Sequence, residues 1–130
     1  MSKISVVLAT YNEEANLENC LRSINELADE IVIVDGGSTD KTLDIAKRFK
    51  ARIIQTNNPQ IFHINKNKAI DFAEGDWILQ LDADEVVTEN LAGEIKNAVL
   101  AESDINGYWI PRKNFFLRKF LTKGGQYPDY

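Results

Sequence analysis

Residues 31–46 read Ile-Val-Ile-Val-Asp-Gly-Gly-Ser-Thr-Asp-Lys-Thr-Leu-Asp-Ile-Ala. The β-branched run Ile31–Val34 is long enough for a buried strand and too short for a helix. It stops at Asp35-Gly36-Gly37-Ser38, where the glycines let the backbone turn sharply and approach a ligand closely. Ser38 or Thr39 is placed to cap the next helix, with Asp40 in its first turn, where the helix dipole favours negative charge. Leu43, Ile45, Ala46 and Phe49 then supply an apolar side. An apolar strand that leads straight into a helix is one unit of a parallel sheet covered by helices.

The same alternation extends in both directions. Upstream, Ile4–Ala9 is a first short strand. Asn12-Glu13-Glu14, with Asn12 as N-cap, opens a helical stretch to about Leu27, and Leu17, Cys20, Leu21 and Ile24 recur on one face of it. Downstream, Arg52–Gln55 is a third strand, broken by Asn57-Asn58-Pro59. A helix follows from about Asn65 to Ala73, with Gly75 in a C-cap position. Trp77–Leu81 is the next strand, and Thr88 or Asn90 starts a helix through Leu91, Ile95, Ala98 and Val99. Tyr108–Ile110 reads as a last strand and the remainder as loop. The predicted fold is a three-layer α/β/α domain with a mostly parallel central sheet and right-handed connections. Residues 1–104 form the α/β core, and 105–130 begin a further region, a strand plus tail, within the same domain.

Composition narrows the classes. A chain of 130 residues is one domain. With 44% apolar and 27% charged residues it is neither a collagen, a coiled-coil rod nor a disordered chain. The single cysteine, Cys20, excludes an internal disulfide and points to a reducing compartment, the cytoplasm. No apolar run approaches the roughly 20 residues that span a bilayer, and the N-terminal apolar stretch reads as a strand rather than a signal peptide. A net charge of −5 argues against nucleic acid as a partner. The charge is uneven: residues 105–130 carry +4, through Arg112, Lys113, Arg118, Lys119 and Lys123 against Asp129, and residues 1–104 carry −9. Tyr108, Trp109, Phe115, Phe116, Phe120 and Leu121 lie in the same basic stretch. Such a stretch, 108–123, suits peripheral contact with the inner face of a membrane or self-association. The plainer reading is a strand and loop whose packing partner lies elsewhere in the chain.

In parallel α/β sheets, ligands sit beyond the carboxyl ends of the strands. The residues there are Thr10-Tyr11-Asn12-Glu13, Asp35-Gly36-Gly37-Ser38, Thr56-Asn57 and Asp82-Ala83-Asp84-Glu85. Asp82, Asp84 and Glu85 repel one another unless a cation or solvent offsets them. Oxygen-only ligands suit Mn²⁺ or Mg²⁺, and an Asp-x-Asp at a strand end can bridge such an ion to a diphosphate. A solvated turn leading into a helix is the bland alternative. Asp35 can accept hydrogen bonds from a base or ribose, or simply shape a strand-to-helix turn. Tyr11 can cover one face of a nucleobase. Neither a Walker loop nor a complete Gly-x-Gly-x-x-Gly fingerprint is present.

Together, VVLATYNEE (6–14), IVIVDGGSTDKT (31–42) and GDWILQLDADE (75–85) resemble the nucleotide-sugar-binding half of family 2 glycosyltransferases, which have the GT-A fold. The resemblance covers essentially the whole chain. NKNKAIDFAEGDW (65–77) and GYWIPRKNFFLRKFLTKGGQYPD (107–129) are similar to the branch that includes lipopolysaccharide core β-glucosyltransferases. The resemblance implies inverting transfer of a sugar from a nucleoside diphosphate donor, UDP foremost, to a glycan or lipid-linked acceptor, in lipopolysaccharide or cell-surface polysaccharide synthesis. It implies that Thr10, Tyr11 and Glu13 line the nucleoside pocket, with Tyr11 against the uracil, and that Asp35 contacts the base or ribose. Lys66 and Asn67 would reach towards the donor. Asp84 would ligate Mn²⁺ or Mg²⁺, and Asp82 would contact the ribose or help to hold the metal and diphosphate. Gly36 stands where many members have a second Asp. Lys66 stands where Arg is frequent, and Lys cannot make the same bidentate phosphate contact.

Family members usually continue well beyond this length, and their catalytic base lies further downstream. Here His63 reads as a loop or cap residue, and Asp129 is a base only by default. The chain therefore reads as a donor-binding half, cut short. The alternatives are a non-catalytic nucleotide-sugar-binding fragment and a receiver-type phosphoacceptor domain. The latter needs an acidic pair where Thr10-Tyr11 stand.

Overall fold

The computed structural model describes residues 2–57, 62–101, 107–111 and 118–123. The elements are β1 (Ile4–Thr10), α1 (Leu17–Ile24), β2 (Glu30–Asp35), α2 (Thr42–Arg48), β3 (Arg52–Gln55), α3 (Phe62–Phe72), β4 (Trp77–Gln80), α4 (Glu89–Leu100), β5 (Gly107–Pro111) and β6 (Arg118–Lys123). They build a six-stranded sheet in the order β3-β2-β1-β4-β6-β5. The strands β3, β2, β1 and β4 are parallel, as the apolar runs predicted. The chain steps outward from β1 to β2 to β3, then returns to lay β4 on the other side of β1. That reversal opens a crevice above the carboxyl ends of β1 and β4.

All of β1 is buried, as befits a central strand. Its alternate residues serve opposite faces. Ile4, Val6 and Leu8 pack with Leu17, Leu21 and Ile24 of α1, Ile45 and Ala46 of α2, and Ile95 and Val99 of α4. Val7, with Val32, Val34 and Ile78, meets Ala69 of α3 on the other face. The α/β/α layering follows from this two-sided burial.

The loop expected after residue 110 is corrected by β6. It inserts between β4 and β5, antiparallel to both, pairing Trp77 with Lys123, Ile78 with Thr122 and Leu79 with Leu121. Without it, β4 would present an open edge of unpaired backbone groups beside a buried core. Part of the basic aromatic stretch is thus a sheet element of this domain. Tyr108 of β5 also packs on Trp77, with ring centroids 5.7 Å apart. Arg112, Lys113, Phe115 and Phe116 lie outside the described residues.

Three helix ends differ from the sequence reading. Asn12 is not an N-cap: α1 starts at Leu17, and Asn12 adopts a left-handed φ of 51°. Neither Ser38 nor Thr39 caps α2, which starts at Thr42; there the Asp40 carboxylate accepts from the Thr42 N–H at 2.9 Å. Gly75 is not a C-cap, since α3 ends at Phe72. The glycine is required there by proximity. Its N–H donates to Ser5 Oγ at 2.8 Å, and an added Cβ would fall 2.5 Å from that oxygen and 2.8 Å from the Ser5 backbone nitrogen. Gly75→Ala should therefore push on the central strand and cost about 1–3 kcal/mol. Urea unfolding should show a lower midpoint with an unchanged slope, and an unchanged midpoint would mean that β1 has room to move. The Thr88 cap of α4 is present, with Oγ1 accepting from the Leu91 N–H at 3.1 Å.

Candidate functional site

The wall of the crevice is built on Asp35. Thr10 and Asp35 are register partners at the ends of β1 and β2, and both are fully buried. Thr10 Oγ1 donates to Asp35 Oδ1 at 2.8 Å, and Ser38 Oγ donates to the same oxygen at 2.6 Å. The N–H groups of Gly37 and Ser38 donate to Asp35 Oδ2 at 3.0 and 2.8 Å. A carboxylate offers about four acceptor positions, and this set fills them. Thr10 and Asp35, both expected at the nucleoside, are thus fully buried at the strand ends and bonded to each other. Their work is to hold the β2–α2 turn, where Gly37 takes a φ of 98°.

A second set of bonds locks that turn to the β1–α1 turn. The Asn12 N–H donates to Ser38 Oγ and the Thr39 N–H to Asn12 Oδ1, both at 2.8 Å. The Glu13 N–H donates to Thr42 Oγ1 at 2.8 Å and the Glu14 N–H to Asp40 Oδ2 at 3.1 Å. Asparagine tolerates the left-handed backbone that this reciprocal bonding needs. Tyr11, half-buried, directly follows β1 and precedes Asn12 in the β1–α1 turn.

Across the crevice, β4 runs into Asp82-Ala83-Asp84-Glu85. Leu81 and Ala83 are buried, Asp82 is half-buried and Asp84 is exposed. Glu85 turns back on its own loop: its Oε1 accepts from the Asp82 N–H at 2.7 Å, and its N–H donates to the Asp82 carbonyl at 3.0 Å. Helix α1 pins the loop from below. The Cys20 thiol approaches the Asp82 carbonyl at 3.7 Å, and Ser23 Oγ accepts from the Val87 N–H at 3.0 Å. From α3, Lys66 Nζ lies 2.7 Å from Asp82 Oδ1. Asn67 is exposed, whereas Asn65 is buried, with Oδ1 accepting from Thr56 Oγ1 at 3.4 Å.

Ser23, Ser38 and Asn65 support the site yet were not singled out as site residues by the sequence. Asn65 does carry a signal: it stands four residues before Ala69, on the buried stripe of α3, where a polar residue needs a reason.

The site is electronegative. Burial, together with the nearby carboxylates of Asp84, Asp40 and Asp82, raises the Glu13 carboxyl, against a lowering hydrogen bond with Asn16. Burial foremost, then the charges of Glu85, Asp84, Asp82 and Glu13, push the Cys20 thiol up to about 12, so it is inert at neutral pH. Among the described residues no three His, Cys, Asp or Glu side chains converge as a self-sufficient metal cage. An exposed Asp84 two residues from Asp82 nevertheless fits a divalent ion that completes its shell from diphosphate oxygens and water. The side chain of His63, and Asp129 altogether, lie outside the described residues.

A separate groove of about 620 Å³ lies at the amino ends of the strands, lined by Lys3, Ser5, Glu30 and Gly75 among others. Polar groups of its wall bond to each other, Ser5 Oγ donating to Glu30 Oε2 at 2.6 Å. It has no part in the crevice. No helix among the described residues is long and apolar enough to cross a membrane.

The chain is similar to known proteins in sequence and in fold. An uncharacterised glycosyltransferase of Rickettsia typhi is 37% identical over 97 residues, which are 74% of this chain and 32% of the relative. The chain thus spans about a third of the length of this and similar curated relatives. The crystal structure of S. aureus TarS 1–349 in complex with UDP superposes with a TM-score of 0.63 at 30% identity, over 75% of this chain and 31% of that one. The mannosyltransferase PcManGT from Pyrobaculum calidifontis, in complex with GDP-Man and Mn²⁺, shares the fold with a TM-score of 0.69 at 24% identity, over 86% of this chain and 36% of that one. The fold is therefore that of GT-A glycosyltransferases. The family profile of glycosyl transferase family 2 matches residues 5–122, nearly the whole length, and the chain belongs to that family.

Proposed function

We propose that this chain is the donor-binding half of a glycosyltransferase that takes a sugar from a nucleoside diphosphate, UDP foremost. The observation that carries the reading is what gathers at the carboxyl ends of the neighbouring strands β1 and β4: Tyr11 follows β1, Asp82 and Asp84 follow β4, and Lys66 pairs with Asp82. The UDP held by TarS, at 30% identity, supports the choice of nucleotide. Tyr11 offers its ring to the base. The interlocked turns place backbone groups along the nucleoside and exclude water behind them. Asp84, with Asp82 beside it, would hold Mn²⁺ or Mg²⁺, and Lys66 would meet the diphosphate. When bound, the ion supplies Lewis acidity to the leaving diphosphate. The acceptor is proposed to be a glycan or lipid-linked sugar of a lipopolysaccharide or cell-surface polysaccharide. The base that deprotonates its hydroxyl is assigned outside the described residues, with Asp129 first in line. That the chain spans about a third of its relatives also favours a second reading, donor binding without transfer by this chain alone.

Calorimetric titration of UDP with and without Mn²⁺ tests the proposal: saturable binding that strengthens with Mn²⁺ is expected, and no binding would overturn it. In the same assay Tyr11→Ala should weaken UDP roughly 5- to 150-fold, the range for losing one base-stacking aromatic. Tyr11→Phe should stay near wild type. A large loss with Phe would instead assign the contact to the hydroxyl.

A further inference from the structure

The loop between β4 and α4, residues 81–88, carries Asp84 and has neither helix nor strand of its own. Two residues of α1, one turn apart, bond to it on either side of that aspartate. Before Asp84, the Cys20 thiol meets the Asp82 carbonyl at 3.7 Å, a weak contact, since a thiol is a poor donor. After Asp84, the Val87 N–H donates to Ser23 Oγ at 3.0 Å. The Ser23 hydroxyl is itself fixed. It donates to the Cys20 carbonyl at 2.6 Å, so its proton is committed and a lone pair is left for Val87. Val87 is buried and Ser23 half-buried. Deleting the hydroxyl would leave the Val87 N–H without its acceptor. A groove of about 610 Å³ runs past the bond, lined by Ser23, Leu27, Val87 and Gly93 among others.

We infer that Ser23 is a positioning residue for Asp84, acting through the Val87 backbone, an inference that rests on the donor-site reading above. Asp84 is exposed and makes no hydrogen bond or ion pair among the described residues, so its place is set by its backbone. That backbone is closed on one side by the Glu85 carboxylate at the Asp82 N–H and anchored on the other by Ser23. A carboxylate serves an ion well only when it is held within about 0.5 Å of its productive place. Released at Val87, the second half of the loop gains conformational freedom, and ion binding has to remove it again. Tyr11, the residue proposed to meet the base, lies on another turn and is not held through Val87. The loss is therefore confined to the part of the UDP affinity that Mn²⁺ adds.

The test is calorimetric titration of UDP into the full chain, with and without Mn²⁺. Ser23→Ala should bind UDP as wild type does without Mn²⁺ and roughly tenfold more weakly with it, the lower end of the range for groups that hold a metal ligand in place. Ser23→Thr keeps the hydroxyl, and the groove has room for its methyl group, so it should recover most of that loss. Ser23→Cys, whose sulfur is a weak acceptor, should fall between the two, and it carries the test if Ser23→Ala does not fold. On an Asp84→Ala background, Ser23→Ala should change UDP binding no further, because the residue that it positions is gone. The inference is overturned if Ser23→Ala matches wild type in Mn²⁺, which would mean that water from the groove replaces the hydroxyl. It is overturned equally if Ser23→Ala weakens UDP to the same extent with and without Mn²⁺, if it weakens UDP further on the Asp84→Ala background, or if Ser23→Thr falls as far as Ser23→Ala. If wild type shows no UDP binding at all, the donor-site reading falls and takes this inference with it. UDP binding to wild type that is tightened by Mn²⁺, beside an unaltered Ser23→Ala, removes the inference alone.

Discussion

Asp35→Ala should lower the stability of the fold by about 3–4 kcal/mol, because it removes the acceptor of four hydrogen bonds inside a fully buried turn. The Thr10 hydroxyl, the Ser38 hydroxyl and the N–H groups of Gly37 and Ser38 would all lose their partner. For a domain of this size that is a fall in melting temperature of roughly 11–15 °C. Asp35→Asn should not rescue it fully. The amide would turn one NH₂ either towards two backbone N–H groups or towards two hydroxyls that already donate. Thermal unfolding followed by circular dichroism decides the matter. A loss under about 1 kcal/mol would show that water replaces the carboxylate at little cost, and that the turn does not depend on it.

Asp84→Ala should do the opposite. The side chain is exposed and makes no hydrogen bond or ion pair among those described, so stability should stay within about 0.5 kcal/mol of wild type. UDP binding, by contrast, should become insensitive to Mn²⁺, with the affinity measured in Mn²⁺ falling by about tenfold or more. Calorimetry on the two proteins side by side reads both effects. Mn²⁺-dependent UDP binding that survives in Asp84→Ala would remove Asp84 as the ligand. The two aspartates thus differ plainly: Asp35 is buried and holds a turn together, and Asp84 is exposed.

That separation could not be read in the sequence. Both residues end an apolar strand, and strand ends are where polar chemistry gathers. Which way a carboxylate points depends on the turn that follows. After β2, two glycines and Ser38 fold the backbone N–H groups back onto Asp35. After β4, Glu85 takes that inward role and leaves Asp84 outside. The parallel strands were legible because each is a local run of β-branched or aliphatic residues. The Thr88 cap was legible because its partner is three residues away. β6 was not, because its pairing with β4 is long-range and its basic residues mask the strand pattern. Asn12 was misread for a related reason: its bonds run to Ser38 and Thr39 on another turn, and no local signal distinguishes such a lock from a cap.

The placement of β6 also sets an order of assembly. β1, β2 and β3 are joined by short helical crossovers, so their pairing closes small loops early. β4 must cross back over them to reach β1, at a larger entropic cost. β5 is made before β6 yet lies outside it. The two can form a local hairpin that docks onto β4 as a unit, once β4 is in place to receive it. The edge of β4 then stays open until β6 has been synthesised. During that interval the nascent chain presents Trp77-Ile78-Leu79 as a bare apolar strand, the stretch where a chaperone would hold it or a second chain would add to it.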